Sequence, residues 1–316
     1  MGKGKLLVIG DLILDEYIVG EDYRMSDEAP VPIVKVDKFI PQLGGAANVA
    51  NNIKALGGDV LLCGAIGVVD YGRSAVRFIE EMENSKLSTF YIVQGSMKTT
   101  TKSRVIIQDH QVVRFDYEDG YISQSIKEEI IEKIKYLDFR KIDLIVVSDY
   151  RKGVICAEVM DILISSGVKI VIDPKPKNKH LYYNTFCMTP NLKEFNVFTG
   201  SAFHKNNLDG IEDVSEKFRV DLSLDNLVVT LGEKGALCNV DGCCKIISSH
   251  KVEVANTIGA GDTFLSALCY QISEGKNILD AVKIANIAAA IAISKKYTGV
   301  CTIDEIEKYR NSFYER

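Results

Sequence analysis

The sequence predicts a three-layer α/β/α fold, with helices on both faces of a mostly parallel central sheet and a small β-sheet lid. Apolar β-rich runs alternate with helical patterns along most of the chain, which is typical of parallel sheets. Several of these runs are continuously apolar, as expected for strands covered on both faces. The chain has 316 residues, 47% of them hydrophobic, which is enough for a large core.

The predicted elements follow one another in βα order. The first strand is KLLVIGD (5–11), and the first helix (45–56) starts at one glycine pair and ends at another. Apolar runs predict further strands at 60–66, 143–149, 168–173 and 226–231. Helical patterns lie at 71–84, 123–137, 154–166, 208–219, 262–274 and 278–295. Binding sites in such sheets lie at the carboxyl ends of the strands.

Two segments, 17–40 and 89–117, interrupt this order because both alternate like strands and contain little helical pattern. We expect them to form the lid. Since no linker, repeat or low-complexity tract divides the chain, residues 1–316 are predicted to be a single domain. Isolated ribbons are marginal in water, and the lid carries apolar Ile33, Val34 and Val36. A homodimer formed through the lids is therefore expected.

The composition argues against several classes of protein. A net charge of −5 and a pI near 5.6 disfavour a nucleic-acid-binding protein. The first apolar run is too short for a signal peptide, and the apolar segment 284–293 is too short to cross a bilayer. Eight scattered cysteines without a CxxC pair indicate reduced thiols. We expect a cytoplasmic protein that binds neither nucleic acid nor membranes.

The stretch NTIGAGDTF (256–264) places Gly259, Ala260 and Gly261 directly before Asp262 and a predicted helix. Small residues and a helix N-terminus together expose backbone N–H groups that can bind an anion. A carboxylate beside a bound phosphate could accept a proton from an attacking hydroxyl, as in phosphoryl transfer. Alternatively, the loop is a tight turn and Asp262 is a helix cap.

Three other stretches place polar residues near predicted strand ends. Asp11 and Asp15 follow the first strand, where they could bind sugar hydroxyls or serve as turn and capping residues. Asn191 and Glu194 could form a capping box or orient magnesium-bound water. Gly44, Gly45 and Asn48 open the first helix, where Asn48 could contact a ligand.

These residues together resemble the ribokinase-like (PfkB) family of carbohydrate kinases. The four motifs LGGAANVA, TPNLKEF, VVTLGEKGALC and NTIGAGDTF occur in the family's order and span essentially the whole chain, a joint match that is much more specific than any one motif. Stretches such as RMSDEAPVPIVKV and IDPKPKN further resemble the kinase part of the heptose-phosphate kinase group. Many of those relatives carry a nucleotidyltransferase domain after the kinase, and we expect none in this chain.

The resemblance implies an ATP- and Mg²⁺-dependent sugar kinase, with a sugar phosphate as its small-molecule partner. It makes Asp262 the catalytic base and the 259–261 loop the anion hole. It assigns sugar binding to Asp11, Asp15, Gly44, Gly45 and Asn48. Asn191 and Glu194 would bind phosphates and Mg²⁺, with Glu194 holding the metal through water. Thr230, Gly232 and Asn286 would bind the nucleotide. Lys102 and Arg104, two residues apart on one strand face, are expected to bind the distal phosphate of the substrate, or else to be solvated surface charges.

Two residues depart from the family pattern. Asn256 replaces the acid that usually opens the signature, where relatives hold K⁺, which weakens the expectation of K⁺ activation. Arg151 stands where relatives usually carry glycine. Three alternatives remain open: a hexose, ribose or nucleoside kinase of the same fold, a non-catalytic relative of that fold, and a dinucleotide-dependent oxidoreductase. The last is the weakest, because this chain has no GxGxxG motif after its first strand.

Overall fold

The computed structural model describes residues 4–68 and 73–314 and contains a large sheet and a small one. The large sheet has nine strands in the order β13-β12-β11-β10-β9-β8-β1-β4-β5. Their bounds are β1 Lys5–Gly10, β4 Asp59–Gly67, β5 Ile92–Gly95, β8 Leu144–Ser148, β9 Ile170–Asp173, β10 Cys187–Met188, β11 Asn226–Thr230, β12 Ala236–Val240 and β13 Cys243–Ile247. All neighbours are parallel except β11–β12 and β12–β13.

Nine helices are described in the same ranges. They are α1 Ala46–Ala55, α2 Arg73–Asn84, α3 Gln124–Lys135, α4 Ala157–Ser165, α5 Leu192–Thr199, α6 Ile211–Asp221, α7 Ala260–Ser273, α8 Ile278–Ile293 and α9 Ile303–Tyr314. In the part of the chain described, no helix is both long and apolar enough to span a membrane.

The side chains of β1 show why the fold has three layers. Leu6 and Val8 belong to a core with residues of α1, α7 and α8, whereas Leu7 and Ile9 belong to a second core with residues of α3, α4 and α6. Alternate residues of a strand point to opposite faces of the sheet, so a run that is apolar at every position is buried on both sides. The predicted fold class is confirmed.

The small sheet is the lid, in the order β3-β2-β6-β7. Its strands are β2 Leu12–Met25, β3 Pro32–Gly45, β6 Thr101–Ile107 and β7 His110–Tyr117. The first lid segment, predicted at 17–40, is longer in the structure. Its strand β2 begins just after β1, and its strand β3 runs directly into α1. The second segment differs as well: β5, at residues 92–95, pairs with β4 in the large sheet rather than in the lid.

Candidate active site

Three neighbouring strands of the large sheet end in aspartates. Asp11 follows β1, Asp149 follows β8, and Asp173 is the last residue of β9. The pairing of Gly10 with Ser148 and of Ser148 with Asp173 brings these ends to the same level of the sheet. The site is built above this edge, as expected for a parallel sheet.

The N-terminus of α7 supplies free backbone donors. Gly259, the residue before the helix, has φ 77°, and a Cβ there would lie 2.9 Å from Thr298 Cγ2 and 3.0 Å from Asn48 Nδ2. Glycine is therefore required by both conformation and space. The Ala260 amide donates to the Thr257 carbonyl at 3.4 Å, whereas the amides of Gly261 and Asp262 find no acceptor among the described residues. These two N–H groups are placed to bind an anion.

Asp262 lies in the first turn of α7, with its side chain buried, and it is not the N-cap residue. Its Oδ2 accepts a hydrogen bond from Asn48 Nδ2 at 2.8 Å, and its Oδ1 accepts one from the Tyr150 hydroxyl at 2.8 Å. Burial raises the pKa of Asp262 to about 6, although these two donors lower it. The carboxylate is thus ionised at neutral pH and is basic enough to take a proton.

A cavity of about 170 Å³ opens beside this carboxylate. Gly259, Gly261 and Asp262 line one part of it. The rest is lined by residues at or just after the ends of strands of the large sheet and by residues near the starts of α5 and α7: Tyr150, Asp173, Lys175, Thr189, Asn191, Glu194, Thr230 and Phe264. The cavity therefore joins the glycine loop to Asn191, Glu194 and Thr230, three of the residues that the sequence analysis assigned to phosphates and nucleotide.

Asn191 and Glu194 form the capping box of α5. Asn191 Oδ1 accepts from the Glu194 amide at 3.0 Å, and Glu194 Oε2 accepts from the Asn191 amide at 3.0 Å. Glu194 Oε1 also accepts a hydrogen bond from Lys175 Nζ. Burial lowers the pKa of Lys175, but Asp173 and Glu194 more than offset this effect and leave it raised. Lys175 is thus held as a cation at the cavity wall.

The acidic groups at this wall fit a hard cation. Burial, together with the neighbouring Glu194, Asp262 and Asp149 carboxylates, raises the pKa of Asp173 to about 8, against the effect of Lys175. Excess negative charge of this kind is relieved by a bound cation, and carboxylates with water and phosphate oxygens are the ligands that Mg²⁺ prefers. No cluster of three ligating side chains occurs in residues 4–68 and 73–314.

The lid places a buried ion pair and a separate cation over the site. Arg104 Nη1 lies 2.6 Å from Asp15 Oδ1, and both side chains are less than a tenth exposed. The expectation of solvated lid charges is therefore wrong for Arg104. Lys102 on β6 lies opposite Asp15 on β2 in the backbone register of the sheet. Its Nζ lies 5.3 Å from the centroid of the Tyr150 ring. Within the described residues, no carboxylate lies within ion-pair distance of Lys102 Nζ.

The glycine pair before α1 is fixed by close approaches. A Cβ on Gly44 would lie 2.4 Å from Asp15 Oδ2, and one on Gly45 would lie 2.5 Å from the Asp11 carbonyl oxygen. Gly45 also has φ 56°. The pair thus lets the start of α1 approach Asp15 and positions Asn48 against Asp262.

Three residues assigned to ligands lie elsewhere. Asp11 is 1% exposed, and its oxygens accept from the amides of Tyr150, Lys152 and Val154 at 2.8–3.2 Å. Its position favours holding this loop over binding sugar. Asn286 is buried, and its amide donates to two carbonyls at the end of β13. Gly232 has φ 61° in the turn after β11 and is not among the cavity-lining residues, whereas Thr230 is.

Sequence reasoning missed the roles of Tyr150 and Lys175. Lys175 belongs to the stretch IDPKPKN, quoted above for its resemblance, and Tyr150 belongs to SDYRKGV (148–154). Nothing in their spacing links them to Asp262 or Glu194. They meet because β8 and β9 are neighbours in the sheet. A signal was nevertheless present, since polar side chains that directly follow a buried parallel strand are candidates for a site.

Comparisons with known proteins agree with this geometry. A sequence profile for "pfkB family carbohydrate kinase" matches residues 3–305. The "Bifunctional protein HldE" of Sulfurimonas denitrificans is 34% identical over 316 residues, covering 98% of this chain and 65% of that protein. The protein of the same name from Nitratiruptor sp. is 35% identical over 311 residues, covering 98% of this chain and 66% of that protein. The chain thus spans about two thirds of the length of these relatives.

A solved structure shows the same fold. Phosphofructokinase-2 from Escherichia coli, crystallised with substrates and products, has a TM-score of 0.81 and 17% identity, and the match covers 100% of both chains. At this identity the likeness shows the fold alone. The family profile, in contrast, extends over nearly the whole sequence and includes the glycine loop and its aspartate. On that ground the chain belongs to the pfkB family of carbohydrate kinases, and it is a sugar kinase.

Proposed function

We propose that this kinase transfers the γ-phosphoryl group of ATP to the anomeric hydroxyl of D-glycero-β-D-manno-heptose 7-phosphate, forming the 1,7-bisphosphate. The lid sequence resembles heptose-phosphate kinases, and the relatives named HldE support the same group. The observation that carries the proposal is the position of Lys102. Its ammonium group lies on the site face of the lid, beside Tyr150, and has no carboxylate partner among the described residues.

The transfer step uses the groups at the N-terminus of α7. Asp262 takes the proton of the anomeric hydroxyl. The hydroxyl oxygen forms a bond to the γ-phosphorus while the bond between that phosphorus and the leaving oxygen of ADP breaks. The free amides of Gly261 and Asp262 stabilise the charge that spreads over the transferring group. Asp15, held by Arg104, is placed to bind sugar hydroxyls, with Gly44 and Gly45 allowing the sugar to approach.

The opposite wall of the cavity is proposed to hold the nucleotide. Lys175 and the N-terminus of α5 at Asn191 face the phosphates, and Thr230 lies beside the nucleotide. Mg²⁺, when bound, would neutralise phosphate charge, and Glu194 would hold it through water. Asn256 is neutral: its Oδ1 accepts from the Ile258 amide at 2.9 Å, and its Nδ2 contacts the Lys296 carbonyl at 3.4 Å. This arrangement argues against K⁺ activation.

The test compares phosphorylated and plain sugars in an ATP-dependent assay. Wild type is expected to use heptose 7-phosphate far better than the unphosphorylated heptose. Lys102→Ala should lower kcat/KM for the phosphorylated sugar by about 10- to 100-fold, the effect of one charge-assisted contact, and should change the rate with the plain sugar much less. Lys35→Ala, in exposed β3 of the same lid, is the control.

Each outcome bears on a different part of the proposal. If wild type and Lys102→Ala prefer heptose 7-phosphate over the plain heptose to the same extent, Lys102 does not bind the distal phosphate. A wild-type preference for a hexose, ribose or nucleoside would reject the heptose phosphate and leave a different sugar kinase of the same family.

The lid is also proposed to form a homodimer. Phe39, Ile18, Val105 and Val113 are aligned across all four strands on the face away from Asp15. Ile18 and Val105, on the two central strands, are buried, whereas Phe39 and Val113, at the ends of the row, are 52% and 49% exposed, and neighbouring Phe115 is 50% exposed. An apolar row of this kind is typical of an interface. Phe115→Lys should give a monomer in sedimentation, whereas Val220→Lys, at an exposed position of α6, should not. A monomeric wild type would contradict the dimer.

We further propose that the kinase works in the cytoplasm, where ATP is available. All eight cysteines are free in the structure, which suits a reducing compartment.

A further inference from the structure

We propose that Tyr150 is a positioning residue for the phosphoryl transfer: its hydroxyl fixes the orientation of the Asp262 carboxylate. This inference rests on the proposed role of Asp262 as the base. Tyr150 Oη donates to Asp262 Oδ1 at 2.8 Å, while Asn48 Nδ2 donates to Oδ2 at 2.8 Å. With one donor on each oxygen, the plane of the carboxylate is fixed. A base that is held in one orientation loses less entropy in the transition state.

The position of Tyr150 is itself determined by two buried aspartates. Asp11 accepts hydrogen bonds from the amides of Tyr150, Lys152 and Val154, and Asp149 accepts one from the amide of Arg151 at 2.6 Å. The amides of residues 150, 151 and 152 are thus bound alternately by the carboxylates at the ends of β1 and β8, and Asp11 binds the Val154 amide as well. The loop cannot shift without leaving a buried carboxylate unpaired, which is costly.

The loop keeps this shape although it contains a residue in a strained conformation. Arg151 has φ 60°, in the left-handed region that glycine adopts more readily. Its guanidinium lies 5.5 Å from the centroid of the Tyr121 ring. Asp149 Oδ2 also accepts hydrogen bonds from the Asn178 side-chain Nδ2 at 2.7 Å and from the Tyr182 hydroxyl. The network that holds Tyr150 therefore extends well behind the site.

The Tyr150 side chain also lies beside cations from both walls of the site. Lys102 Nζ, from the lid, and Lys175 Nζ, from the proposed nucleotide wall, are each 5.3 Å from the centroid of its ring. Burial, with the nearby Asp262 and Asp173 charges, keeps the pKa of Tyr150 well above its usual value. The hydroxyl thus remains protonated and can donate to Asp262 throughout the working pH range.

The test is Tyr150→Phe, which keeps the ring and removes only the donor. We expect kcat to fall by about 10- to 100-fold, with KM for ATP and sugar within a few-fold of wild type. The acidic limb of the kcat–pH profile should move up by about one pH unit, because a donor to the ionised Asp262 is lost. Asp15, which raises the pKa of Asp262, and Lys175, which lowers it, are unchanged in this variant.

The matched control is Tyr183→Phe. The Tyr183 hydroxyl also donates to an aspartate, Asp161 Oδ1, at 3.1 Å, but this bond is exposed and lies away from the cavity. Its loss should change neither kcat nor the pH profile. If Tyr150→Phe fails to fold, 3-fluorotyrosine at position 150 provides a second test: its more acidic hydroxyl donates more strongly and should move the acidic limb down.

The outcomes separate this inference from the proposed function. If Asp262→Asn is inactive while Tyr150→Phe keeps the wild-type kcat and acidic limb, Tyr150 has no positioning role. If Asp262→Asn itself retains wild-type activity, the base has been misassigned, whatever Tyr150 does.

Discussion

The Asp262 carboxylate is buried, which disfavours its ionised form, although its proposed role as the base requires that form. Replacing it by asparagine should keep the fold and ATP binding and lower kcat by about 10²–10⁴-fold, the usual effect of a positioned base. The raised pKa means that the ionised side chain opposes folding at pH 7. Asp262→Asn should therefore increase the free energy of unfolding, by about 1–3 kcal/mol. Steady-state kinetics and urea unfolding test both parts, and an active or less stable variant would contradict them.

Gly261 permits a test that separates chemistry from stability. A Cβ built at Gly261 meets no atom within 4 Å, and its φ is not positive. Gly261→Val should fold normally, while its side chain projects into the cavity and keeps phosphoryl oxygens from the free amides. We expect at least a 10-fold lower kcat. Gly120→Val, at an equally open glycine outside the site, should match wild type. Equal kcat in both variants would make the loop a simple turn.

At Asp11 and Asn286, the sequence could not predict the protein contacts that the structure shows. Each was assigned to a ligand because its residue type and motif suit one. In the structure, each uses its hydrogen-bonding atoms on backbone groups far away in the chain. A motif identifies the residue but not its partner, since the partners of Asp11 are about 140 residues away and those of Asn286 nearly 40 residues away, and both depend on the assembled sheet.

Among the elements, the lid is most sensitive to Arg104. Arg104→Ala would leave the Asp15 carboxylate buried without its partner, at a cost of about 3–5 kcal/mol. The expected result is a less stable protein with weak activity toward every sugar, phosphorylated or not. Lys102→Ala should instead keep the wild-type melting temperature. Thermal unfolding of the two variants, with the sugar panel, distinguishes them. If Arg104→Ala lost activity only with phosphorylated sugars, Arg104 would bind the distal phosphate directly.

The strongly periodic elements were predictable and the short ones were not. The run at 143–149 corresponds to β8, and the helical pattern at 278–295 corresponds to α8. By contrast, β5 and β10 have four and two residues, too few to show a period. Their place depends on pairing with neighbouring strands, which is why residues 92–95 were assigned to the lid.

At the scale of the whole molecule, buried acids set the pH dependence of stability. Burial raises the pKa of Asp11 and Asp262 to about 6 and that of Asp173 to about 8. In each case the folded protein holds its proton to higher pH than the unfolded chain. The free energy of unfolding should therefore fall as pH rises from about 4 to about 8. Urea unfolding across this range measures the slope.

Asp173→Asn isolates the upper part of this range. It should flatten the decrease between pH 6 and pH 8, while the decrease between pH 4 and pH 6 remains. A stability that rises with pH in wild type, or a slope unchanged in Asp173→Asn, would contradict the prediction.

The parallel pairing of β2 with β6 determines when and how the lid can form. Leu14 pairs with Thr101 and Gly20 with Ile107, and the chain between the two strands builds β3, α1, β4, α2 and β5. Contacts between such distant segments form late, because the entropy of closing the loop is lost before they contribute. During refolding, the amides that bond between β2 and β6 should gain protection from hydrogen exchange after those that bond between β1 and β4, whereas the amides of the local β2–β3 and β6–β7 hairpins need not. The same connectivity means that the lid cannot be excised, or grafted onto another kinase, as one continuous piece of chain.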